Sequence, residues 1–342
     1  MKIQNNLVDI KINQIKCNIC EKCVNICPQK IFKKTNNKII INNINSCIGC
    51  LSCSKSCPTN AIKIENHKFK KFFIAKKCNN NCIMCFEHDV NINDEHTTKE
   101  ILKEINTNIK GNEEMIILSG AEITLKKDLF KILYTIKKKN STAQIFLPTN
   151  GRMFCYKNYI DKFNKLNLDN VKITISILGS KKETHDKITQ VIGSFNESIK
   201  GIKNLLNFNY NVNLNITILK KNYKEILDIC KIFLPIGIKT IQLAIVEPNG
   251  KAKLKFKEMI PQIKYLKPII QKALKYGNGK VKTKNIPNCI LGKYYNLKYF
   301  NTQNHLKKKI SKCLKCKFYD DCDGYWKEYF QIYGNDEIKP IN

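Results

Sequence analysis

The sequence predicts an α/β protein: a partial (β/α)6 barrel with a small cysteine-bearing α+β unit before it and a small cysteine-bearing extension after it. Three observations lead there. Apolar runs of strand length alternate with segments of helical period between about residues 71 and 250, the pattern of βα units on a parallel sheet. Cysteines crowd into the first seventy residues and again into the last ninety. The length of 342 residues exceeds the size at which one core usually stays undivided. The predicted divisions are 1–70, 71–250 and 251–342.

The first unit is a repeat. Cys17-x2-Cys20-x2-Cys23-x3-Cys27-Pro28 returns thirty residues later as Cys47-x2-Cys50-x2-Cys53-x3-Cys57-Pro58. Each proline stops the chain from continuing as helix. Lys38–Ile41 and Ala61–Glu65 read as short strands. Paired zinc knuckles are the competing reading, but four cysteines in eleven residues, doubled and each followed by proline, do not suit them. The pattern is similar to that of bacterial two-cluster ferredoxins, in which the fourth cysteine of each run crosses to the other cluster. The resemblance implies one 4Fe-4S cube on Cys17, Cys20, Cys23 and Cys57, a second on Cys47, Cys50, Cys53 and Cys27, and electron transfer as their task.

The middle of the chain alternates strand and helix. Phe72–Ala75 is a strand leading into a cysteine loop, and His96–Ile109 a helix with Ile101, Leu102, Ile105 and Ile109 on one face. Met115–Leu118, Gln144–Leu147, Val171–Ile177, Asn213–Leu219 and Thr240–Val246 are strands. Between them, helices are expected over Lys126–Lys139, Tyr156–Leu166, Phe195–Phe208 and Tyr223–Phe233. Six βα units are too few for a closed eight-stranded barrel, and functional loops belong at the strand C-termini.

The cysteine loop is Cys78-Asn-Asn-Asn-Cys82-Ile-Met-Cys85. Three thiolates at this spacing hold three corners of an iron–sulfur cube and leave the fourth iron without a protein ligand, the mark of a catalytic centre. The C-x3-C-x2-C pattern resembles the signature of the radical SAM superfamily. That resemblance implies a TIM-like partial barrel and an open iron that chelates S-adenosylmethionine. It further implies reductive cleavage to a 5′-deoxyadenosyl radical, which takes a hydrogen from substrate.

Other motifs follow the strands in turn. Ser119-Gly120-Ala121-Glu122 resembles the family's Gly-Gly-Glu element, with Ala121 for the second glycine. The resemblance implies that carbonyls here and the Glu122 carboxylate accept from the SAM ammonium, as acceptors must; an ordinary β-turn is the alternative. Thr149-Asn150-Gly151-Arg152 also resembles a family element, and Arg152 is the only arginine in the chain. It is a candidate to fork onto a carboxylate of SAM or substrate, against the alternative of a surface arginine. Ser176 is a candidate for the SAM ribose, or a buried serine bonded to backbone. Met84 stands where the family carries an aromatic against the adenine, and a thioether also packs on a purine. His185-Asp186 is expected in a loop, structural or solvated, and Cys155 as a buried inert thiol.

In the extension, Cys289 stands upstream of Cys313-x2-Cys316-x5-Cys322. Four cysteines divided in this way close one site, for which structural zinc is the competing occupant. The tail resembles the SPASM and twitch extensions of radical SAM enzymes, with cysteines for one auxiliary 4Fe-4S cluster. Such extensions imply a maturase or modification enzyme acting on a peptide, protein or small molecule. Tyr319, Tyr325, Trp326, Tyr329 and Phe330 are expected to pack this extension.

Composition limits the partners. Fifteen of the 17 cysteines fall in these groups, leaving Cys155 and Cys230. Clustered CxxC pairs in a long chain without a signal peptide favour metal over disulfides, a cytoplasmic location and a reducing or anaerobic cell. No apolar run has the length of a membrane span. The formal charge of +32 invites nucleic acid. Cubes on these thiolates would bring it to roughly +25, and the basic residues are lysines spread through loops and elements alike. An RNA-modifying radical SAM enzyme and a non-catalytic multi-cluster electron carrier are the alternatives. An external low-potential electron donor is the expected partner.

Overall fold

The computed structural model describes residues 9–27, 30–42, 44, 47, 52–65, 69–86, 96–298, 306–320, 322 and 324–341. Cys50 and Pro28 lie outside the described residues.

The first unit runs β1 (Asp9–Ile12), α1 (Lys22–Ile26), β2 (Phe32–Thr35), β3 (Lys38–Ile41), α2 (Ser52–Lys55) and β4 (Ile62–Glu65). β1 pairs antiparallel with β4, and β2 with β3. The two helices sit at equivalent points of the repeat, each carrying the third cysteine of its run. A small core of Ile10, Ile31, Phe32, Ile39 and Ile62 closes around Cys23, Cys27 and Cys53. A core of this size is thin by itself, and such units ordinarily rely on added cross-links or metal.

The second part continues with β5 (Phe69–Ala75), α3 (Thr98–Asn108), β6 (Met115–Gly120), α4 (Leu129–Lys139), β7 (Gln144–Thr149), α5 (Lys157–Asn164), β8 (Val171–Ser176), α6 (Lys182–Thr189), α7 (Ser194–Asn207), β9 (Asn211–Ile218), α8 (Ile226–Phe233) and β10 (Ile241–Ile245). After it come α9 (Lys251–Leu254), α10 (Phe256–Met259), α11 (Ile263–Gly277) and β11 (Val281–Lys284). Strands β5 to β11 form one seven-stranded sheet in chain order, parallel throughout. Sequential winding with a helix between neighbours is barrel geometry, and seven strands leave it open. Helix α3 starts with a capping box: Glu100 N–H donates to Thr97 Oγ1 at 3.2 Å, and Thr97 N–H to Glu100 Oε2 at 2.8 Å.

The sheet extends one strand beyond the sequence expectation. Val281-Lys-Thr-Lys284 is short and half lysine, so its apolar signal is weak; pairing with β10 makes it a strand. The chain ends with α12 (Asn288–Leu291), β12 (Lys307–Lys308), β13 (Tyr325–Trp326) and α13 (Lys327–Tyr333). Tyr325, Trp326, Tyr329 and Phe330 are buried in the same core as the barrel residues. The barrel core thus continues past residue 250 into the tail. No helix among the described residues is long and apolar enough to cross a membrane.

His185-Asp186 lies in helix α6, not in the expected loop. The carboxylate of Asp186 caps α7: its oxygens accept from the N–H of Gly193 at 2.7 Å, the N–H of Phe195 at 2.8 Å and the Ser194 hydroxyl at 2.8 Å. His185 is buried, and its Nδ1 accepts the N–H of Leu178 at 3.1 Å. Burial lowers its pKa to about 4, with Asp186 opposing and Arg152 reinforcing the shift. Between about pH 6.5 and pH 4 the unfolded chain binds a proton here that the folded chain refuses, so stability falls with falling pH, by about 3 kcal/mol in all. His185→Asn keeps an acceptor at this point. It is expected to flatten the fall in thermal midpoint between pH 7 and pH 5.

Candidate active site

The cysteine loop begins where β5 ends, and the path of β6 fixes that point. Gly120 lies against Ala75, with φ +141°, and a Cβ there would fall 2.2 Å from the Ala75 carbonyl oxygen. The approach lets Ala121 N–H donate to Ala75 O at 2.9 Å and Glu122 N–H to Lys77 O at 3.0 Å. The cysteine loop is thus tied to the Ser119–Glu122 turn one residue before Cys78.

Three further elements hold the loop. Asn81 and Ile83 N–H groups donate to the carbonyls of Thr189 and Ile188 at the end of α6, at 2.9 and 3.0 Å. The guanidinium of Arg152 reaches the carbonyl of Asn79, the Asn80 side chain at 2.7 Å and, through Nε, the carboxylate of Glu197 on α7. Asn150 donates to the Asn79 side-chain oxygen at 2.6 Å. On the far side, Lys251 N–H donates to Cys85 O at 3.0 Å and its Nζ to the Asn81 side chain. Gly250 allows this contact, since a Cβ there would lie 2.4 Å from Cys85 O. The loop after the first sheet strand is therefore gripped from the ends of β7, α6 and β10.

Glu122 is 1% exposed. One carboxylate oxygen accepts from Thr124 N–H at 3.0 Å and from the hydroxyls of Thr124 and Thr149 at 2.5 and 2.7 Å; the other accepts from Asn150 N–H at 2.6 Å. Burial raises its pKa against those four donors. Its geometry ties the β6 turn to the β7 turn. The donors of Arg152 go to the cysteine loop and Glu197, and the side chain is 12% exposed. Arg152→Ala is expected to loosen the loop and leave the Glu197 carboxylate unpaired. The cost is about 2–3 kcal/mol, measured as faster loss of loop iron to a chelator. Arg152→Lys restores little, because a single compact ammonium cannot span acceptors that Arg152 reaches from separate guanidinium nitrogens.

Of the other expected residues, Ser176 ends β8 and is half-buried, and Met84 packs partly buried against the main core. Cys155 and Cys230 are buried away from the thiol groups, and burial pushes the Cys230 thiol up to about 12. Asn79, Asn80, Glu197, Gly250 and Lys251 were not singled out in the sequence. The Asn-Asn-Asn run inside the cysteine loop and the Pro248-Asn249-Gly250 turn were the available signals.

The donor sets suit iron–sulfur cubes. Cys78 is exposed and Cys82 and Cys85 half-buried. Desolvation, then the neighbouring Cys78 and Cys85, push Cys82 up to about 12; metal binding would deprotonate such thiols. In the first unit, Cys17, Cys20, Cys23 and Cys57 line one small hollow with Thr59 and Ile62. Cys57 comes from the second run, so the chain brings together the four residues of the crossed set. Ile19 and Glu21 take positive φ values of 55° and 59° as the first run wraps the hollow. In the tail, desolvation first and then Cys322, Cys313 and Cys316 push Cys289 up to about 12, so Cys289 lies within electrostatic reach of the other three. Among the described residues, no three His, Cys, Asp or Glu side chains close tightly around one metal ion. A cube asks for less convergence, since each thiolate takes its own iron.

Residues 72–266 match the family described as the radical SAM superfamily, and residues 16–62 match a 4Fe-4S dicluster domain. A probable GTP 3′,8-cyclase of Saccharolobus solfataricus is 30% identical over 187 residues, 54% of this chain and 59% of that protein. An Fe-coproporphyrin III synthase of Methanosarcina barkeri is 25% identical over 177 residues, 51% of this chain and 43% of that protein. The chain thus spans about half the length of these curated relatives. Streptococcus suis SuiB bound to S-adenosylmethionine shares the fold at a TM-score of 0.54 and 14% identity, over 80% of this chain and 76% of SuiB. With the family match over more than half of its length and a three-cysteine loop at the mouth of an open parallel barrel, this chain belongs to the radical SAM superfamily and carries a 4Fe-4S dicluster unit ahead of the barrel.

Proposed function

We propose that the chain cleaves S-adenosylmethionine reductively to start hydrogen abstraction from a peptide, protein or small-molecule substrate, with electrons delivered through its own dicluster unit. The observation that carries this reading is the grip on the Cys78–Cys85 loop from the ends of β7, α6 and β10, which fixes three thiols at the open mouth of the barrel. When bound there, the cluster and S-adenosylmethionine supply one-electron cleavage of a C–S bond, giving methionine and a 5′-deoxyadenosyl radical that takes a hydrogen from substrate. The protein's part is orientation. Arg152 holds the start of the loop at Asn79 and Asn80, and Lys251 holds it at Asn81 and at its end, Cys85. Glu122 keeps the β6 and β7 turns together beneath it. Ser176 ends β8 on the open sheet face, where its hydroxyl is available to a ribose.

The four tail thiols support an auxiliary cluster beside the barrel core, and the crossed set around one hollow supports an electron entry point in the first unit. The test is anaerobic reconstitution with iron and sulfide, reduction, and assay for 5′-deoxyadenosine and methionine. Iron near four cubes per chain, about 16, with 5′-deoxyadenosine formed in the presence of reductant, is the expected result. Reconstituted, reduced protein that leaves S-adenosylmethionine intact would overturn the proposal.

A further inference from the structure

The sheet has two faces, and helices cover only one. On β11, Val281 packs towards α11, since a Cβ on Gly277 would lie 2.2 Å from Val281 Cγ2. Val281 and Thr283 are buried, and strand alternation turns Lys282 and Lys284 to the opposite face, where both are half-exposed. The neighbouring strands behave alike. Ile175, Leu214, Ile216 and Leu243 are fully buried, while Ser176, Asn215, Thr217 and Gln242 are not.

Register then places these residues. Ser176, Asn215, Gln242 and Lys282 form one row across four strands; Thr217, Ala244 and Lys284 form the next row, towards the strand C-termini and the cysteine loop. Gln242 Nε2 donates to Asn215 Oδ1 at 2.7 Å, which fixes the amides of the row. Among the described residues, no carboxylate lies within ion-pair distance of Lys282 or Lys284. The acid at this rim, Glu247, is held elsewhere: it accepts Asn285 Nδ2 at 2.6 Å, and Asn285 Oδ1 accepts Lys307 Nζ at 2.9 Å. A closed barrel fills its lumen with branched apolar side chains. On this side the barrel presents the ammonium groups of Lys282 and Lys284 beside amides and hydroxyls. Two like charges on alternate residues of one strand repel, and an oxyanion between them relieves the repulsion while accepting from both.

We propose that Lys282 and Lys284 receive an oxyanion of the substrate, a phosphate or a carboxylate, in the open lumen of the barrel. The inference rests on the reading of this barrel as the site of radical chemistry and names the class of molecule that enters it. The reconstituted full chain, without reductant, is titrated calorimetrically with tripolyphosphate and with citrate. Saturable binding of at least one is expected. Lys282→Gln and Lys284→Gln should each weaken it by about tenfold or more. Lys231→Gln, which removes the same charge from the exposed face of α8, should leave it unchanged. Tighter binding of tripolyphosphate marks a phosphate-bearing substrate, and tighter binding of citrate a carboxylate. No saturable binding at millimolar concentration overturns the proposal, as does equal affinity in both lysine variants with wild-type iron content. If one variant fails to retain iron, the other carries the comparison. Formation of 5′-deoxyadenosine, assayed separately, distinguishes the two readings. Cleavage without anion binding overturns the anion site alone, and anion binding without cleavage overturns the radical chemistry alone.

Discussion

Cys82→Ala is expected to abolish 5′-deoxyadenosine formation and to lower the iron content by about four per chain, one cube's worth. Cys82 is the middle thiol of the loop; desolvation first, then the neighbouring Cys78 and Cys85, raise the cost of ionising it. With two thiols left, the loop cannot hold three corners of a cube, although Arg152, Asn150 and Lys251 still hold its backbone. Iron bound elsewhere should stay, because those cysteines come from other parts of the chain. Full iron content together with wild-type cleavage in this variant would remove the loop from the mechanism. The ratio of iron lost to activity lost makes the result specific: a variant that lost all its iron would report unfolding instead.

Gly120→Ala is the substitution expected to do most damage without touching a thiol. An added Cβ would meet the Ala75 carbonyl oxygen at 2.2 Å and the Ala75 nitrogen at 2.8 Å, in a backbone at φ +141° that side chains rarely adopt. Both obstacles are backbone atoms of the adjoining strand, so no rotamer change relieves them. The strands must separate at the point where Ala121 and Glu122 tie the start of the cysteine loop. A loss of about 4 kcal/mol or more is expected, seen as a lower thermal midpoint with loop iron released first. An unchanged midpoint would mean that β5 and β6 can part here at little cost.

Most of the barrel was legible in the chain. Strands such as Val171–Ser176 alternate buried isoleucines with half-exposed polar residues, and period-2 patterning is a local property that survives folding. The cysteine spacings were legible for the same reason, since loop ligands must be close in sequence. Strand β11 was missed because Val-Lys-Thr-Lys has little apolar weight; its identity comes from pairing with β10 and from Gly277 packing on Val281. His185-Asp186 was misplaced because Asp186 caps a helix seven residues on, a contact that local propensity does not encode. The protein partners of Glu122 and Arg152 were hidden for a related reason. Their residue types announce an acceptor and a fork, but which partners fill them depends on loops 27 to 73 residues away.

The sequence by itself determined the chemistry: three thiols on one loop, two interleaved runs of four, and a run of βα units to carry them. These are short-range patterns, and short-range patterns are written in order along the chain. The tertiary structure alone decided how the pieces meet. It brought Cys57 to Cys17, Cys20 and Cys23, and Cys289 to Cys313, Cys316 and Cys322. It closed Arg152 and Lys251 on the cysteine loop, and turned Lys282 and Lys284 into an open lumen. Each of these joins residues far apart in the chain, and sheet register and helix packing set their distance, not sequence spacing.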